Sequence, residues 1–416
     1  MNKAIKMKKG YEIILILLFF AAMNFEAKFF YFLFIPFFLI ILECNCVVDV
    51  VTVIYFLLGL LMGIYNTSEG LKSVLRCFAP LCAYLIGLNL LSYNVHTRTN
   101  IQEDLTQKRG FQILTVLASG SFSHYLLNFL YNLNSSIGRN TNDIWTGVPM
   151  AATGQNALTC LAFGLACALL FIPWQKWCRW PAIFSISIIM AYNLILSCRT
   201  PIIMLFILIL VCIFYPRKDT GYGTQLLKYL KWVLLSIAII IAVYISNIGG
   251  LRDYIQKSPF ILRLGGSVGF LTDNEARSVT KSIYFSQLIN YPFGGCHMRA
   301  KYGYAHDLLL DAYDEYGLIA FLLLLIVLVV GLKQLYVLLR YTNYSESVKL
   351  AFLTTYTATI LEFSVEPILT GMPWLLACFC MINGCMTSMN RRSFQYGEEG
   401  ILQYGTKDFT DQYGLP

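Results

Sequence analysis

Residues 316–332 read YGLIAFLLLLIVLVVGL, an apolar run without a charged side chain. A helix of about 20 such residues crosses the hydrocarbon core of a bilayer, so this run is typical of a membrane span. Similar runs recur along the chain between short charged breaks. They predict an all-α polytopic membrane protein with about twelve transmembrane helices. The predicted spans cover 11–24, 29–42, 47–65, 74–93, 111–130, 153–173, 181–197, 201–215, 232–248, 316–332, 350–366 and 374–389.

The composition of the 416-residue chain agrees with this fold class. Hydrophobic residues make up 57% and charged residues 13%, whereas soluble domains carry about 25% charged residues. The mean hydropathy of +0.62 points the same way. A secreted disulfide scaffold, a disordered protein and a soluble nucleic-acid binder are therefore poor fits. We interpret the net charge of +8 as a sign of membrane topology and expect no nucleic-acid partner.

The cysteines and glycines predict neither a metal site nor a cofactor site. Most of the 13 cysteines lie inside apolar runs, where a thiol behaves as a small hydrophobe. The pairs Cys44/Cys46 and Cys378/Cys380 lack zinc-type spacing and have no histidine nearby. No glycine-rich phosphate loop followed by lysine is present. We therefore expect chemistry without a metal, a nucleotide or another cofactor.

The distribution of lysine and arginine predicts the orientation in the membrane. Placing the N-terminus inside puts most of the 31 basic residues on inner segments, as the positive-inside rule requires. Both termini are then cytoplasmic, and the sequence divides into spans one to nine (1–248), a large outer loop (249–305), an outer helix with the last three spans (306–389) and a cytoplasmic tail (390–416). The outer loop contains seven basic residues: Arg252, Lys257, Arg263, Arg277, Lys281, Arg299 and Lys301.

This long outer loop is the most informative connection in the chain. Apolar residues predict an amphipathic helix over 277–289 at the membrane interface; they are Val279, Ile283, Phe285, Leu288 and Ile289. Clustered arginine and lysine suit an anionic ligand, because a guanidinium matches phosphate oxygens bidentately. The alternative is a solvated, charged loop without a ligand.

The segment after the loop carries a histidine and several acids. His306 is predicted to open a new helix on which His306, Tyr313 and Gly317 share one stripe. Gly317 would let another backbone approach closely. Asp307, Asp311 and Asp314 form a second stripe, which is either an exposed helix face or a set of functional carboxylates.

These motifs resemble the bacterial polysaccharide (O-antigen) polymerase and O-antigen ligase superfamily. The resemblance lies in Arg277, the turn NYPFGG and the segment AHDLLLDAYDEYGLIAFLLLL, in which glycine follows His306 by eleven residues. The segment SCRTP, from Ser197 to Pro201, is similar to the family's Ser-x-Arg element. The motifs cover about 40 residues, and their order agrees with the predicted topology.

The resemblance implies a metal-independent glycosyltransferase acting on glycans carried by undecaprenyl pyrophosphate, outside the bacterial cytoplasmic membrane. It implies that Arg277 and Arg199 bind the pyrophosphate and that His306 acts as the base or orients the acceptor. We expect further substrate contacts from the basic loop and from carboxylates near the outer ends of spans. The candidates are Arg263, Arg299, Asp307, Glu366 and its neighbour Glu362. Expected partners are this lipid-linked oligosaccharide, membrane lipid and a chain-length regulator protein.

Several functions are compatible with these parts. The leading hypothesis is a polymerase that joins lipid-linked repeat units of O-antigen, capsule or exopolysaccharide. A ligase that moves finished polymer to another acceptor needs the same residues. A transporter of polysaccharide or lipid-linked sugar would instead show internal repeats and charges at the bilayer midplane. A non-catalytic scaffold would not need a basic loop beside His306.

Overall fold

The computed structural model describes residues 2–43, 46–91, 99–133, 140–171, 179–215 and 270–412. Side chains are described for 10–42, 46–91, 103–133, 140–171, 179–215 and 277–393. The predicted span 232–248, the first part of the outer loop and the candidate Arg263 lie outside the described residues. The span, the loop and the substrate contact predicted there are therefore untested.

The described chain is mostly helical, as predicted. Its only sheet within these ranges is one antiparallel pair, in which Thr141 lies opposite Met150. The elements in chain order are α1 (Asn2–Ala22), α2 (Phe29–Glu43), α3 (Val50–Tyr65), α4 (Leu71–Arg76), α5 (Ala79–Leu90), α6 (Thr99–Asn132), β1 (Asn140–Asn142), β2 (Pro149–Ala151), α7 (Ala152–Ala157), α8 (Cys160–Phe171), α9 (Arg179–Ile195), α10 (Thr200–Phe214), α11 (Phe270–Ser286), α12 (His297–Tyr302), α13 (Leu308–Tyr316), α14 (Leu318–Tyr341), α15 (Glu346–Phe363), α16 (Ile368–Gly371) and α17 (Pro373–Gln412).

Three stretches are long and apolar enough to cross a membrane: Leu71–Leu90, Glu103–Asn132 and Leu318–Tyr341. Six further helices in the described part are apolar but shorter. This is compatible with an all-α membrane protein, while the number of spans, the type of membrane and the orientation stay predictions.

Two helices extend far beyond the C-terminal ends of their predicted spans. Helix α14 continues from the apolar run to Tyr341, and α17 continues through the predicted tail to Gln412. Neither extension contains a proline, so nothing in the sequence forces the backbone to leave the helical conformation. The segment after Arg392, which lies in the predicted cytoplasmic tail, is helical up to Gln412.

Small residues allow the helices of the core to pack closely. Gly87 of α5 faces the backbone of Met381 in α17, and a side chain at Gly87 would collide with that backbone. Gly384 of α17 meets the backbone of α5 at Tyr84 in the same way. Glycine at such contacts lets two helix backbones approach, which increases dispersion contacts between them.

The two ends of the bundle each gather segments that the sequence assigns to one side of the membrane. At one end the Tyr65 hydroxyl donates to the Phe293 carbonyl at 2.5 Å, and the rings of Phe25 and Trp145 lie 5.1 Å apart. Phe25, Trp145 and Phe293 belong to predicted outer segments, and Tyr65 ends a predicted span on the same side, so we call this the outer end. At the opposite, inner end, Arg391 lies 2.6 Å from Asp49.

Candidate functional site

Residues from four separate segments meet near the outer end of the bundle. The turn between α9 and α10 contributes one edge, α11 contributes two cations, and the connection before α13 adds the histidine. The end of α15 and the connection that follows it supply two glutamates. We call this group the outer site; its residues are Ser197, Cys198, Arg199, Arg277, Lys281, His306, Asp307, Glu362, Ser364 and Glu366.

Helix α11 carries the two cations that organise the outer site. Arg277 and Lys281 are four residues apart, and both act electrostatically on His306. The Lys281 ammonium donates to Asp307 Oδ2 at 3.2 Å and to the Ser364 carbonyl at 2.6 Å. Lys281 thereby joins the start of α13 to the end of α15. Lys281 therefore connects two helices, whereas Arg277 is the cation whose charge acts on Glu362 and Glu366.

Arg277 is the electrostatic centre of the outer site. Its charge acts on His306, on Glu362 and on Glu366, although these residues come from different parts of the chain. The structure thus brings the two predicted catalytic residues, Arg277 and His306, together. It adds Glu366, which was predicted to bind substrate, to the same group.

The backbone at His306 differs from the prediction. His306 has a φ of 54° and lies before α13, which begins at Leu308. The predicted stripe of His306, Tyr313 and Gly317 on one helix is therefore wrong, because the left-handed backbone at His306 cannot continue a helix. A non-glycine residue in this conformation costs roughly 1–2 kcal/mol, and such strain is common at functional sites.

The His306 imidazole is half-buried and neutral at physiological pH. Burial, assisted by the positive charges of Arg277 and Lys281, lowers the pKa of His306 to about 4. Its Nδ1 atom is buried and has no hydrogen-bond partner among the described residues. A neutral imidazole with an unpaired nitrogen can accept one hydrogen bond from a ligand or donate one to it.

Asp307 has a structural role besides its predicted contact with substrate. Its carboxylate accepts hydrogen bonds from the Leu309 and Leu310 amides, so Asp307 is the N-cap of α13. The same carboxylate pairs with Lys281. A direct contact between Asp307 and substrate stays a prediction.

The two glutamates lie deeper than the cations. Glu362 is fully buried near the end of α15, where its Oε2 accepts from the Asn156 amide at 2.8 Å. Helix α15 ends at Phe363, so Glu366 lies in the connection that follows, and it is 5% exposed. The Oε1 atom of each glutamate has no hydrogen-bond partner among the described residues.

The pKa of Glu366 is raised into the neutral range. Burial raises it to about 7, although a hydrogen bond from Thr153 and the charge of Arg277 act in the opposite direction. A carboxyl group that titrates near neutral pH is suited to accept and return a proton during a reaction.

The predicted Ser-x-Arg element lies next to these glutamates. Cys198, the middle residue of the turn, is buried and within electrostatic reach of Glu362 and Glu366. Ser197 has a φ of 55°, which makes the turn between α9 and α10 sharp. Arg199 follows as the N-cap residue of α10. The predicted proximity of the Ser197–Arg199 turn and the outer site is thus present, while phosphate binding by Arg199 stays a prediction.

Arg299 belongs to a neighbouring cluster and not to the group around Arg277. Its guanidinium contacts the Cys296 sulfur at 2.7 Å, lies 3.8 Å from Glu315 and stacks over the Tyr304 ring at 5.1 Å. The Tyr304 ring in turn lies 6.3 Å from the His306 ring. Arg299 is therefore joined to the outer site through Tyr304, and its predicted substrate contact is untested.

Two residues of the predicted acidic stripe, Asp311 and Asp314, have different structural roles. Asp314 is buried and accepts from the Met298 amide at 2.8 Å and the Arg299 amide at 3.2 Å, which fixes the start of α12. Asp311 is 6% exposed and accepts from the Asp307 amide at 3.3 Å. Burial raises the pKa of Asp311 from 3.8 to about 7, with smaller contributions from neighbouring acids partly offset by backbone hydrogen bonds.

The raised pKa of Asp311 predicts a pH-dependent stability. Between about pH 4 and pH 7 the native protein binds a proton at Asp311 that the unfolded chain has released. The free energy of unfolding therefore falls as the pH rises through this range, by about 4 kcal/mol at most. Asp311→Asn should reduce this slope, to which Glu366 also contributes, and should be more stable than wild type at pH 8. Thermal unfolding of both proteins in detergent at pH 5 and pH 8 checks this, and an unchanged slope would contradict it.

A buried polar network lies beside the outer site and was not predicted from the sequence. His124 Nε2 lies 2.6 Å from Asp143 Oδ1, and both side chains are almost fully buried. Asn128 donates to Asp143 and to Gln155, the neighbour of Asn156. Although burial acts against it, the contact with His124 and hydrogen bonds from Thr146 lower the pKa of Asp143 to about 2.

This network connects the hairpin of β1 and β2 with the outer site. It begins at Asp143 in the hairpin loop and passes through Asn128 and Gln155; the adjacent Asn156 then bonds Glu362. A histidine inside an apolar run was the only available signal, since intramembrane polar residues mark functional or packing sites. Its partner Asp143 could not be identified from spacing.

The turn PFGG packs its backbone directly against the junction of α13 and α14. The Leu318 amide donates to the Pro292 carbonyl at 2.8 Å, and the Cys296 amide donates to the Asp314 carbonyl at 2.7 Å. Gly317 has a φ of 86°, and a side chain there would meet the Pro292 carbonyl at 2.5 Å. The predicted close backbone approach at Gly317 is confirmed, and it holds the end of the outer loop beside α13.

Among the described side chains, no group of three or more His, Cys, Asp and Glu residues could hold a metal ion. No protein-family model matches the chain, and a comparison with curated proteins found no match. The resemblance to polysaccharide polymerases and ligases therefore stays a prediction that rests on the motifs quoted above.

Proposed function

We propose that the protein is a membrane glycosyltransferase that uses a glycan carried on a polyprenyl pyrophosphate. The observation that supports this best is the arrangement around Arg277, which stands beside a neutral histidine and two buried carboxylates. These are the parts that transfer of a glycosyl group requires: a cation for the leaving pyrophosphate and a base for the acceptor hydroxyl.

In this proposal Arg277 stabilises the leaving group. The bond between the anomeric carbon and the pyrophosphate oxygen breaks, and the polyprenyl pyrophosphate leaves with the electron pair. A guanidinium beside that oxygen compensates the negative charge that develops there, and its effect is strengthened by burial. Arg199, at the start of α10, is the second candidate for this contact because its turn adjoins the same glutamates.

Glu366 is the better candidate for the base. The acceptor hydroxyl oxygen forms the new bond to the anomeric carbon, and its proton must be removed as this happens. A pKa of about 7 suits Glu366 for this step, whereas a pKa of about 4 makes His306 a weak base. His306 then orients the acceptor through its unpaired Nδ1 atom.

The same residues would serve a polymerase and a ligase. Both reactions transfer a glycan from a lipid pyrophosphate to a hydroxyl group, and only the acceptor differs. We propose the polymerase, in which the acceptor is the sugar of a second lipid-linked unit. A strain without the protein should then carry single repeat units, whereas loss of a ligase would leave complete but unattached polymer.

Turnover by the purified protein is the direct test. The protein in detergent or nanodiscs is incubated with a lipid-linked repeat unit, and the products are separated by size. A ladder of products with release of polyprenyl pyrophosphate is the expected result. No product under conditions in which the protein is folded and bound to the substrate would refute the proposal.

A transporter is the second candidate, and one observation favours it. Glu362 and the pair of His124 and Asp143 are buried within the bundle and lie in one polar network. Buried ionisable groups of this kind occur along ion and proton pathways of transporters. Proteoliposomes separate the two functions, since a transporter moves lipid-linked glycan across the bilayer without changing its length.

A further inference from the structure

A cavity of about 490 Å³ lies at the inner end of the bundle, far from the outer site. It opens between the start of α3, the second half of α14 and α17. Its volume is in the range of pockets that bind small organic ligands. The lining combines two cations, one carboxylate, amides and three valines.

The charges of this cavity leave it positive. Lys333 and Arg391 line it together with a single acid, Asp49. Asp49 is already engaged, because it accepts hydrogen bonds from Arg391 at 2.6 Å and from Tyr84 at 2.8 Å and also caps α3. A guanidinium has five N–H donors, so Arg391 can still bind an anion after contacting Asp49.

A buried amide supplies a second recognition element. Asn390 is 3% exposed and lines the cavity, and its amide nitrogen donates to the Gln334 backbone and side chain. Its Oδ1 atom, by contrast, has no hydrogen-bond partner among the described residues. An oxygen of this kind accepts a hydrogen bond from a hydroxyl group.

The position of the cavity along the helices matches the level of lipid headgroups. Lys333 follows directly after the apolar run 318–332 of α14. Tyr336 and Tyr341, further along the same helix, are exposed, as is typical of aromatic residues at a membrane interface. Val50, which is 78% exposed, lines the same cavity on its apolar side.

We propose that this cavity binds an anionic phospholipid with a phosphoglycerol headgroup. Lys333 and Arg391 hold the phosphate, Asn390 Oδ1 accepts from a glycerol hydroxyl, and the acyl chains run along the valines. Basic pockets between transmembrane helices at the cytoplasmic surface recognise lipid headgroups in this way. The site is independent of the function proposed for the outer end.

Retention of phosphatidylglycerol by the purified full-length protein tests this proposal. The protein in mild detergent is titrated with phosphatidylglycerol, and bound lipid is measured by native mass spectrometry. Lys333→Gln should weaken binding about tenfold, since it removes one charge-assisted contact, and Lys333→Glu should weaken it further. Lys333 is exposed, so neither change disturbs the core. Phosphatidylcholine should bind at least tenfold more weakly than phosphatidylglycerol.

Arg340→Gln is the matched control, because Arg340 is exposed on the same helix and does not line the cavity. It should leave lipid retention unchanged. Equal losses in the Lys333 and Arg340 variants would overturn the proposal, since the lipid would then respond only to overall charge. Inorganic phosphate that displaces phosphatidylglycerol at the same concentration would also overturn it, because the site would then bind a free anion.

Discussion

Replacing Arg277 with alanine is expected to reduce the rate of glycan transfer by about a thousandfold while the protein still folds and reaches the membrane. Removing one group that stabilises developing negative charge in an active site costs roughly 2.7–4 kcal/mol of transition-state stabilisation. Arg277 also compensates two buried glutamates, so its loss leaves Glu362 and Glu366 without their common cation. The measurement is turnover of a lipid-linked repeat unit by purified variants of equal monodispersity.

Two further variants make this prediction specific. Arg277→Lys keeps the charge but loses the planar fork, so it should retain a small fraction of the activity. Lys301→Ala removes an exposed cation from the same part of the chain and should be as active as wild type. Full activity of Arg277→Ala would remove Arg277 from the reaction, and equal losses in Arg277→Ala and Lys301→Ala would indicate attraction by overall charge.

The second large effect is expected for Glu366→Gln, which should lower the transfer rate by about a hundredfold to ten-thousandfold. A general base acts in its deprotonated form, and the pKa of Glu366 is about 7. The wild-type rate should therefore fall about tenfold for each pH unit below 7 and level off above it. In Glu366→Gln the residual rate should lose this dependence. Initial rates between pH 5 and pH 9 give both profiles.

An exposed acid provides the control for Glu366. Glu69 lies in a predicted outer segment and is exposed, so Glu69→Gln should retain both the rate and the pH profile. If Glu366→Gln kept the wild-type profile, the base would have to be another group. A wild-type rate that stays level from pH 9 down to pH 5 would point to His306, whose pKa is about 4.

The helices could be predicted from the sequence because their signal is local. An apolar run such as 316–332 indicates a helix from its own residues alone, and the described runs are helical over most of their predicted length. The extensions of α14 to Tyr341 and of α17 to Gln412 were missed because polar residues continue a helix without any apolar signal. The number of spans could not be predicted in the same way, because apolar runs of uneven length do not show how deeply each helix lies in the bilayer.

The candidate site could be predicted only where residues come in recognisable order. Arg277, the glycine turn and His306 lie within one short segment, and their resemblance to a family suggested a common site. The contact between Asn156 and Glu362 joins residues 206 positions apart, so no spacing rule could find it. The left-handed backbone at His306 depends on the neighbouring turn and cap and likewise cannot be read from a periodic pattern.

The contact between the glycine turn and Gly317 also provides a way to recognise distant relatives. Gly294 and Gly317 face one another so closely that a side chain on either would meet the backbone of the other's segment. Any chain that builds the same site must keep glycine at both positions, with the histidine between them. Overall sequence similarity can disappear while this spaced pair remains, so the pair is a more durable search pattern than the apolar helices around it.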